Sequence, residues 1–543
     1  MRLLSTDVLI IGGGLAALTA ALTLYAQGAD RRVLMLSQGR GASPWVHGFN
    51  VPLLPEDSVE CFYQDVRRSG YRQNDPALAR ALCADSEAVF SWAQGLGVSF
   101  NRTAEGGYQL LRPLGASHPR VASIGNETGP ALMRRLEEAL ARQPGFSEMK
   151  NTRALRLFAP AGRAQGALCW DAEEKEFFAV SAASVLLCCG GFGRIYPFST
   201  NRPDGGGDGI AMAFEAGAEL VDLEFVQFEP SAAVWPQAVR GQGMITTLFY
   251  EGAVLKNALG QRFMLQYGPQ AERVDKDVLA RCIAREIQEG RATPHGGVWF
   301  DATGVPAERL ETAYPLYVSR YRRVGIELSQ TPIELAPAPH TTLGGVMIDP
   351  ACHTTLPGLL AAGEVTGGIH GANRLGGNGG LETLVFGLRA GKTLAHAVPV
   401  PGAEESALRA WAEEICQGGE EALPDLQALR GQMEAALQAG ASVLRTQAGL
   451  ESALQQLIEL QHALRQAGGG APEAAYGRLR LENDLTCARL LLLSALERRE
   501  SVGCQVRLDA PEREKSRYRV HVKNEDGILR IFWEDWNKQA EEE

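Results

Sequence analysis

Residues 7 to 36 read DVLIIGGGLAALTAALTLYAQGADRRVLML. An apolar β-type run leads into three glycines, then an Ala- and Leu-rich helical stretch, then a second apolar run, which is the order of a βαβ unit. Gly12, Gly14 and Ala17 give the pattern G-x-G-x-x-A at the strand-to-helix turn. Glycines there make the turn tight and let backbone N–H groups and the helix N-terminus approach a pyrophosphate. A dinucleotide-binding α/β domain is predicted, because a merely flexible turn would not need the strand before it and the helix after it. The stretch also reads as the only candidate for a membrane span or signal peptide, but Asp7 precedes it, and glycines and threonines interrupt it. No membrane span is expected.

The acid that would hold an adenine ribose at the end of the second strand is absent, and Ser37 stands there. A hydroxyl can still bond a ribose, so this weakens the case for NAD more than that for a dinucleotide. Two more glycine-rich pieces lie far along the chain, at 188–220 and 359–382. The second reads as a strand, an acid (Glu364) suited to a flavin-side hydroxyl, a loop, and a helix start whose N-terminus would face an isoalloxazine oxygen. Separated pieces closing on one extended ligand suit FAD.

At 543 residues and 45% hydrophobic, the chain is long enough for several domains. Its texture divides it into a first cofactor-domain part at 1–229, a capping α+β domain at 230–338 with a helix over 276–290, a second cofactor-domain part at 339–398, and a helical domain with a tail at 405–543. The PVPG stretch at 399–402 reads as the linker. The predicted class is α/β: a Rossmann-like FAD-binding domain, an inserted α+β cap and a C-terminal helical domain. A net charge of −11 without long basic runs argues against nucleic acid as a partner. None of the ten cysteines forms a C-x-x-C pair, so no zinc ribbon, iron–sulfur cluster or dithiol centre is expected, no metal site is predicted, and a reducing, cytoplasmic setting is the simplest reading.

The stretches LIIGGGLAALTAAL, TNRPDGGGDGIAMAFEAGAEL, HTTLGGVMID, GLLAAGEVTGGIHGANRLG and LERRESVG carry a resemblance. Over nearly its whole length the chain resembles the flavoprotein family of L-aspartate oxidase, fumarate reductase and succinate dehydrogenase, and Ser37 matches the aspartate oxidase style. The resemblance implies non-covalent FAD, since GRGASPWVHGFN has no histidine at its start and His47 lies further along. It assigns FAD contacts to Gly12, Gly14, Ala17, Ser37, Asn50, Asp208, Glu364, Asn378, Gly380 and Leu381. It also implies hydride exchange between a small carboxylate and flavin N5, with His340 and Arg374 holding the substrate. A guanidinium clamps a carboxylate through two charge-assisted bonds, and an imidazole adds a donor beside it.

Other family positions differ. Glu229 replaces a histidine, Thr246 and Phe249 replace the Glu and Arg of a T-E-x-x-R-G-E-G motif, and Val502 replaces an arginine, whereas His118 and Arg120 are kept. Glu229 would repel a second carboxylate, act as an acid or base if burial raised its pKa, or sit in a cap-domain ion pair. Arg240 is a substitute proton relay on sequence proximity alone. With Phe249 and Glu229 at the far end of the pocket, symmetrical dicarboxylates such as succinate and fumarate are expected to be poor ligands. Oxygen or a diffusible acceptor is the expected electron partner, and a separate redox protein is left open. The leading expectation is an aspartate oxidase-like oxidoreductase. A fumarate reductase-like enoate reductase and a flavin-retaining protein with little turnover are the alternatives.

Overall fold

A computed structural model describes residues 1–535 apart from 126, 203, 204, 399, 469 and 511–517, and residues 536–543 are not described. Position 399 of the expected linker and the end of the expected tail thus lie outside the described residues. The βαβ unit forms as predicted: strand Arg2–Ile11, helix Leu15–Ala26 and strand Val33–Ser37, the two strands parallel with Val8 opposite Val33. They belong to a seven-stranded sheet. Strand Phe146–Lys150 lies parallel beyond Val33–Ser37, and Glu176–Leu187 is parallel to Arg2–Ile11 on the other side, with Leu359–Ala361 parallel to it in turn. The sheet ends in the antiparallel strands Gly166–Asp171 and Thr152–Phe158.

Every residue of the first helix from Leu15 to Leu24 is buried. This fits a helix that is apolar all round and covered on both sides. Helix Asn378–His396 covers its outer face, and the approach is close: a Cβ on Gly387 would lie 2.9 Å from the Ala16 carbonyl, and one on Gly391 2.5 Å from that of Ala20. The sequence separation of the two glycine-rich pieces is closed by this helix pair.

The cap is an antiparallel sheet, Val226–Trp235, Ile333–Thr342, Val298–Asp301 and Val254–Lys256 in that order, with helix Lys276–Gln288 against it and its own core around Leu279, Ile283 and Phe300. The boundaries expected at 229/230 and 338/339 fall inside the two long strands, where Glu229 pairs with Ala338. These strands run from the cap into the cofactor domain and end at the cleft between them.

Four helices, Glu405–Gln417, Leu426–Gly440, Gln447–Gln466 and Pro472–Glu497, make up most of the C-terminal region. The tail expected after the helices is β structure over 518–535. Tyr518–Glu525 and Ile528–Asp535 form a hairpin, and the first of them pairs with Leu220–Val221 of the cofactor domain. The turn is made by Asp526 and Gly527, both at positive φ, and Asp-Gly between alternating apolar residues is a hairpin signal present in the sequence. No helix among the described residues is long and apolar enough to cross a membrane, and none of their His, Cys, Asp and Glu side chains form a group of three or more fit to hold a metal.

Candidate active site

A cleft of about 930 Å³ runs from the glycine turn to the underside of the cap. At one end Gly12 sits at φ +123°, and a Cβ there would lie 2.2 Å from the Cys188 carbonyl. Gly12, Gly13 and Gly14 form the floor under the N-terminus of helix Leu15–Ala26, where backbone N–H groups favour an anion. The Ser43 hydroxyl accepts from the Leu15 N–H at 2.8 Å. At the other end Gly379 and Gly380 line the cleft in the first turn of helix Asn378–His396, a second helix N-terminus facing the same space. Replacing Gly12 by alanine should abolish FAD retention, because backbone strain and the carbonyl clash together cost about 3 kcal/mol or more. The flavin-to-protein absorbance ratio of purified protein checks this, with Gly431→Ala, which meets nothing within 4 Å, as the control that keeps its colour.

Arg374 and His340 face each other's neighbourhood under the cap. Arg374 is 9% exposed, its Nε has no partner, and its guanidinium makes no hydrogen bond or ion pair with any described residue. Burial pulls its pKa down, against the pull of Glu364, Glu382 and Glu229. A buried cation without a counter-ion is costly, so the site is built for an anion. The loop behind it is fixed by Gln227, whose amide donates to the Asn373 side chain at 2.7 Å and the Arg374 carbonyl at 2.9 Å. His340 lies near the end of strand Ile333–Thr342, its Nδ1 sharing a hydrogen bond of 2.8 Å with the Thr200 hydroxyl. Burial lowers its pKa to about 3, more than Glu229 raises it, so it stays neutral.

Two family descriptions match the chain: "FAD binding domain" over residues 7–379 and "Fumarate reductase flavoprotein C-term" over 430–537. The chain belongs to this family of FAD-dependent oxidoreductases. A subunit of the fumarate reductase (CoM/CoB) of Methanothermobacter marburgensis is 35% identical, covering 94% of this chain and 95% of its own. L-aspartate oxidase 2 of Ralstonia nicotianae is 33% identical, covering 93% and 91%. Among solved structures, an E. coli quinol fumarate reductase chain superposes with a TM-score of 0.90 at 25% identity, covering 98% of this chain and 97% of that one. The glycine floor, the two helix N-termini and the unpartnered Arg374 fit FAD with an anionic ligand beside it.

The flavoprotein places the expected residues unevenly. Gly12, Gly14, Asp208, Glu229, Arg240, His340, Glu364, Arg374 and Gly380 line the cleft. Ser37 does not: its hydroxyl donates to Glu148 on the next strand at 2.6 Å, and Gln38 forms the wall instead. Ser37 is the last residue of its strand and Gln38 lies in the bend after it, so the two side chains take different directions. Asn50, Asn378, Ala17 and Leu381 are buried behind the wall. The Asn50 amide donates to the Gly376 carbonyl and the Asn378 side chain, both at 2.6 Å, and so holds the helix start in place. The Asp208 carboxylate already accepts from Arg153 and Asn483. Glu364 accepts from the Thr342 N–H at 3.1 Å, and burial raises its pKa to about 7.

The substituted positions also differ from expectation. Phe249 lies in the cap core against Phe300, 5.5 Å between ring centroids, and does not line the cleft. Val502 sits in a small apolar cluster with Phe225, Leu343, Ala372 and Cys504, and Arg120 is fully buried between Asp57 and Asp65. Arg240 reaches the cleft only at its exposed rim, 4.5 Å over the Phe198 ring. Glu229 is ion-paired with Lys276 at 2.5 Å and accepts from Ser231 at 2.7 Å. Despite burial, which raises it, Lys276 and His340 hold the pKa of Glu229 down at about 2, so it is not a proton-carrying acid. Lys276 lines the cleft beside Glu229, and no sequence motif singles it out. The signal was electrostatic: a lysine at the first position of helix Lys276–Gln288 opposes the helix dipole.

Proposed function

We propose that the flavoprotein oxidises or reduces a small carboxylate at a C–C or C–N bond. The unpaired, buried Arg374 guanidinium facing the cleft carries this reading. Bound FAD supplies the two-electron chemistry, taking up or giving a hydride at the substrate carbon. Arg374 fixes the carboxylate with two parallel hydrogen bonds, and neutral His340, oriented by Thr200, contributes a second polar contact. Lys276 moves the proton that balances the hydride, and Glu229 holds its ammonium group in the cleft. The cap strands and helix Lys276–Gln288 keep water from the reacting carbon.

Phe249 is out of the cleft and Lys276 neutralises Glu229, which removes the physical reason for expecting symmetrical dicarboxylates such as succinate and fumarate to bind poorly. We read oxygen, a diffusible acceptor or a separate redox protein as the electron partner, the last supported by the M. marburgensis relative being named as one component of a larger enzyme. Ten free thiols support a reducing, cytoplasmic setting. The test is anaerobic titration of the flavin with amino acids, dicarboxylates and enoates, including a viologen-reduced sample for the reductive direction. Carboxylates should change the flavin oxidation state and their neutral amides should not. A flavin indifferent to every carboxylate in both directions would exclude the proposal.

A further inference from the structure

A second cavity of about 130 Å³ lies against the cleft, room for about four waters at some 30 Å³ each. Lys276, Arg374, Thr246, Ile245 and His47 face both spaces, so Lys276 stands in the partition between them. Leu111 and Tyr250 on the small cavity's wall are 39% and 40% exposed, which places its outer rim at the surface. Asp275 also lines this cavity and does not line the cleft. It occupies the N-cap position of helix Lys276–Gln288, where an aspartate side chain ordinarily accepts from its own helix, yet its carboxyl makes no cap bond and no hydrogen bond or ion pair with any described residue. Its carboxyl is turned instead against Gly115, where a Cβ would lie 2.0 Å from Oδ1.

We propose that the small cavity is the proton path of the cleft and that Asp275 is the carboxyl that reloads Lys276. The inference rests on the carboxylate-oxidoreductase reading of the cleft. In the reductive direction the Lys276 ammonium gives a proton to the substrate carbon. The amine so formed takes one from the Asp275 carboxyl, directly or through a cavity water, and the carboxylate takes one from solvent. Oxidation runs the same transfers backwards. Arg374, the other cation in the partition, is engaged with the substrate carboxylate in this reading, and a guanidinium gives up a proton far less readily than an ammonium. Glu229 stays ionised and cannot either. The groups around Asp275 are Asp277 and Lys276 on its own helix, Asp65 and Arg68 on helix Val59–Ser69, Tyr71 beyond Asp277, and Arg112 and Tyr250 on the cavity wall. Burial, with Asp277 and Asp65 against Arg68, raises its pKa to about 6, which suits exchange near neutrality.

The holoenzyme is compared with Asp275→Asn, Asp275→Ser and Asp275→Glu, using the carboxylate that turns over fastest. The Asn and Ser variants should lose about 100-fold in kcat, the lower range for one acid–base group, at unchanged KM and FAD content. Their pH profiles should lack the limb near 6, and Asp275→Glu should recover most of the rate. Without substrate, a carboxylic infrared band titrating at about 6 should be present in the wild type and absent from Asp275→Asn. Wild-type kcat and pH profile in whichever of the Asn and Ser variants retains FAD would overturn the inference alone. A wild type that no carboxylate reduces or oxidises would overturn the cleft reading and this inference with it.

Discussion

Replacing Arg374 by leucine should abolish carboxylate-driven reduction of the flavin and at the same time make the protein harder to melt. The first effect follows from the loss of a charge-assisted clamp in a desolvated site. Truncating one partner of such a pair costs about 2 to 5 kcal/mol, or roughly 30- to several thousand-fold in affinity. The second follows from the buried guanidinium making no ion pair or hydrogen bond with any described residue. A leucine, though shorter, removes the buried charge, and replacing buried charge by apolar surface gains about 1 to 4 kcal/mol in comparable cases. Thermal melting of substrate-free holoprotein and anaerobic flavin reduction measure the two effects. An Arg374 serving the fold would give the opposite stability result, a lower melting temperature, so the sign of the shift separates the roles.

Replacing Lys276 by methionine should cost both rate and stability, for separable reasons. Losing the proton donor lowers kcat by about 10² to 10⁴. Losing the partner of Glu229 leaves a buried carboxylate alone, about 3 to 5 kcal/mol. The folded pKa of Glu229 is depressed from 4.5 to about 2. Its ionised form therefore stabilises the wild type above about 4.5, and that contribution fades as pH falls towards 2. The stability deficit of Lys276→Met should accordingly be full near neutral pH and shrink on acidification through this window. Adding Glu229→Gln should restore most of the stability and none of the rate. Urea denaturation across pH with kcat measured in parallel checks both, and a double variant that recovers turnover would show that Lys276 does not carry the proton.

Much of the cofactor site was legible because its chemistry is local. Gly12, Gly14 and Ala17 act through backbone that turns within six residues, and strand, turn and helix are written in the same stretch. Arg374 and His340 were found through the resemblance, each within a glycine-rich context that fixes its backbone. Ser37 shows the limit. The strand ends at Ser37 and the chain bends at Gln38, and only the fold reveals that Ser37 turns to Glu148 while Gln38 meets the cleft. The hairpin Tyr518–Asp535 was signalled by Asp526–Gly527, but its place in the fold depends on pairing with Leu220–Val221, about 300 residues earlier.

The sequence by itself determined the βαβ unit and the FAD family and pointed to Arg374 and His340, which both line the cleft, since glycine turns, apolar periodicity and motif order are properties of neighbouring residues. Tertiary structure alone decided which of the altered positions matter. Phe249 was withdrawn into the cap core, Val502 into an apolar cluster and Arg240 to the rim, while helix Lys276–Gln288 brought Lys276 to Glu229 across 47 residues. The cleft lies between two packed bodies, and which side chains face it depends on how the cap's strands and helix sit on the cofactor domain, a long-range arrangement that no local pattern in the chain encodes.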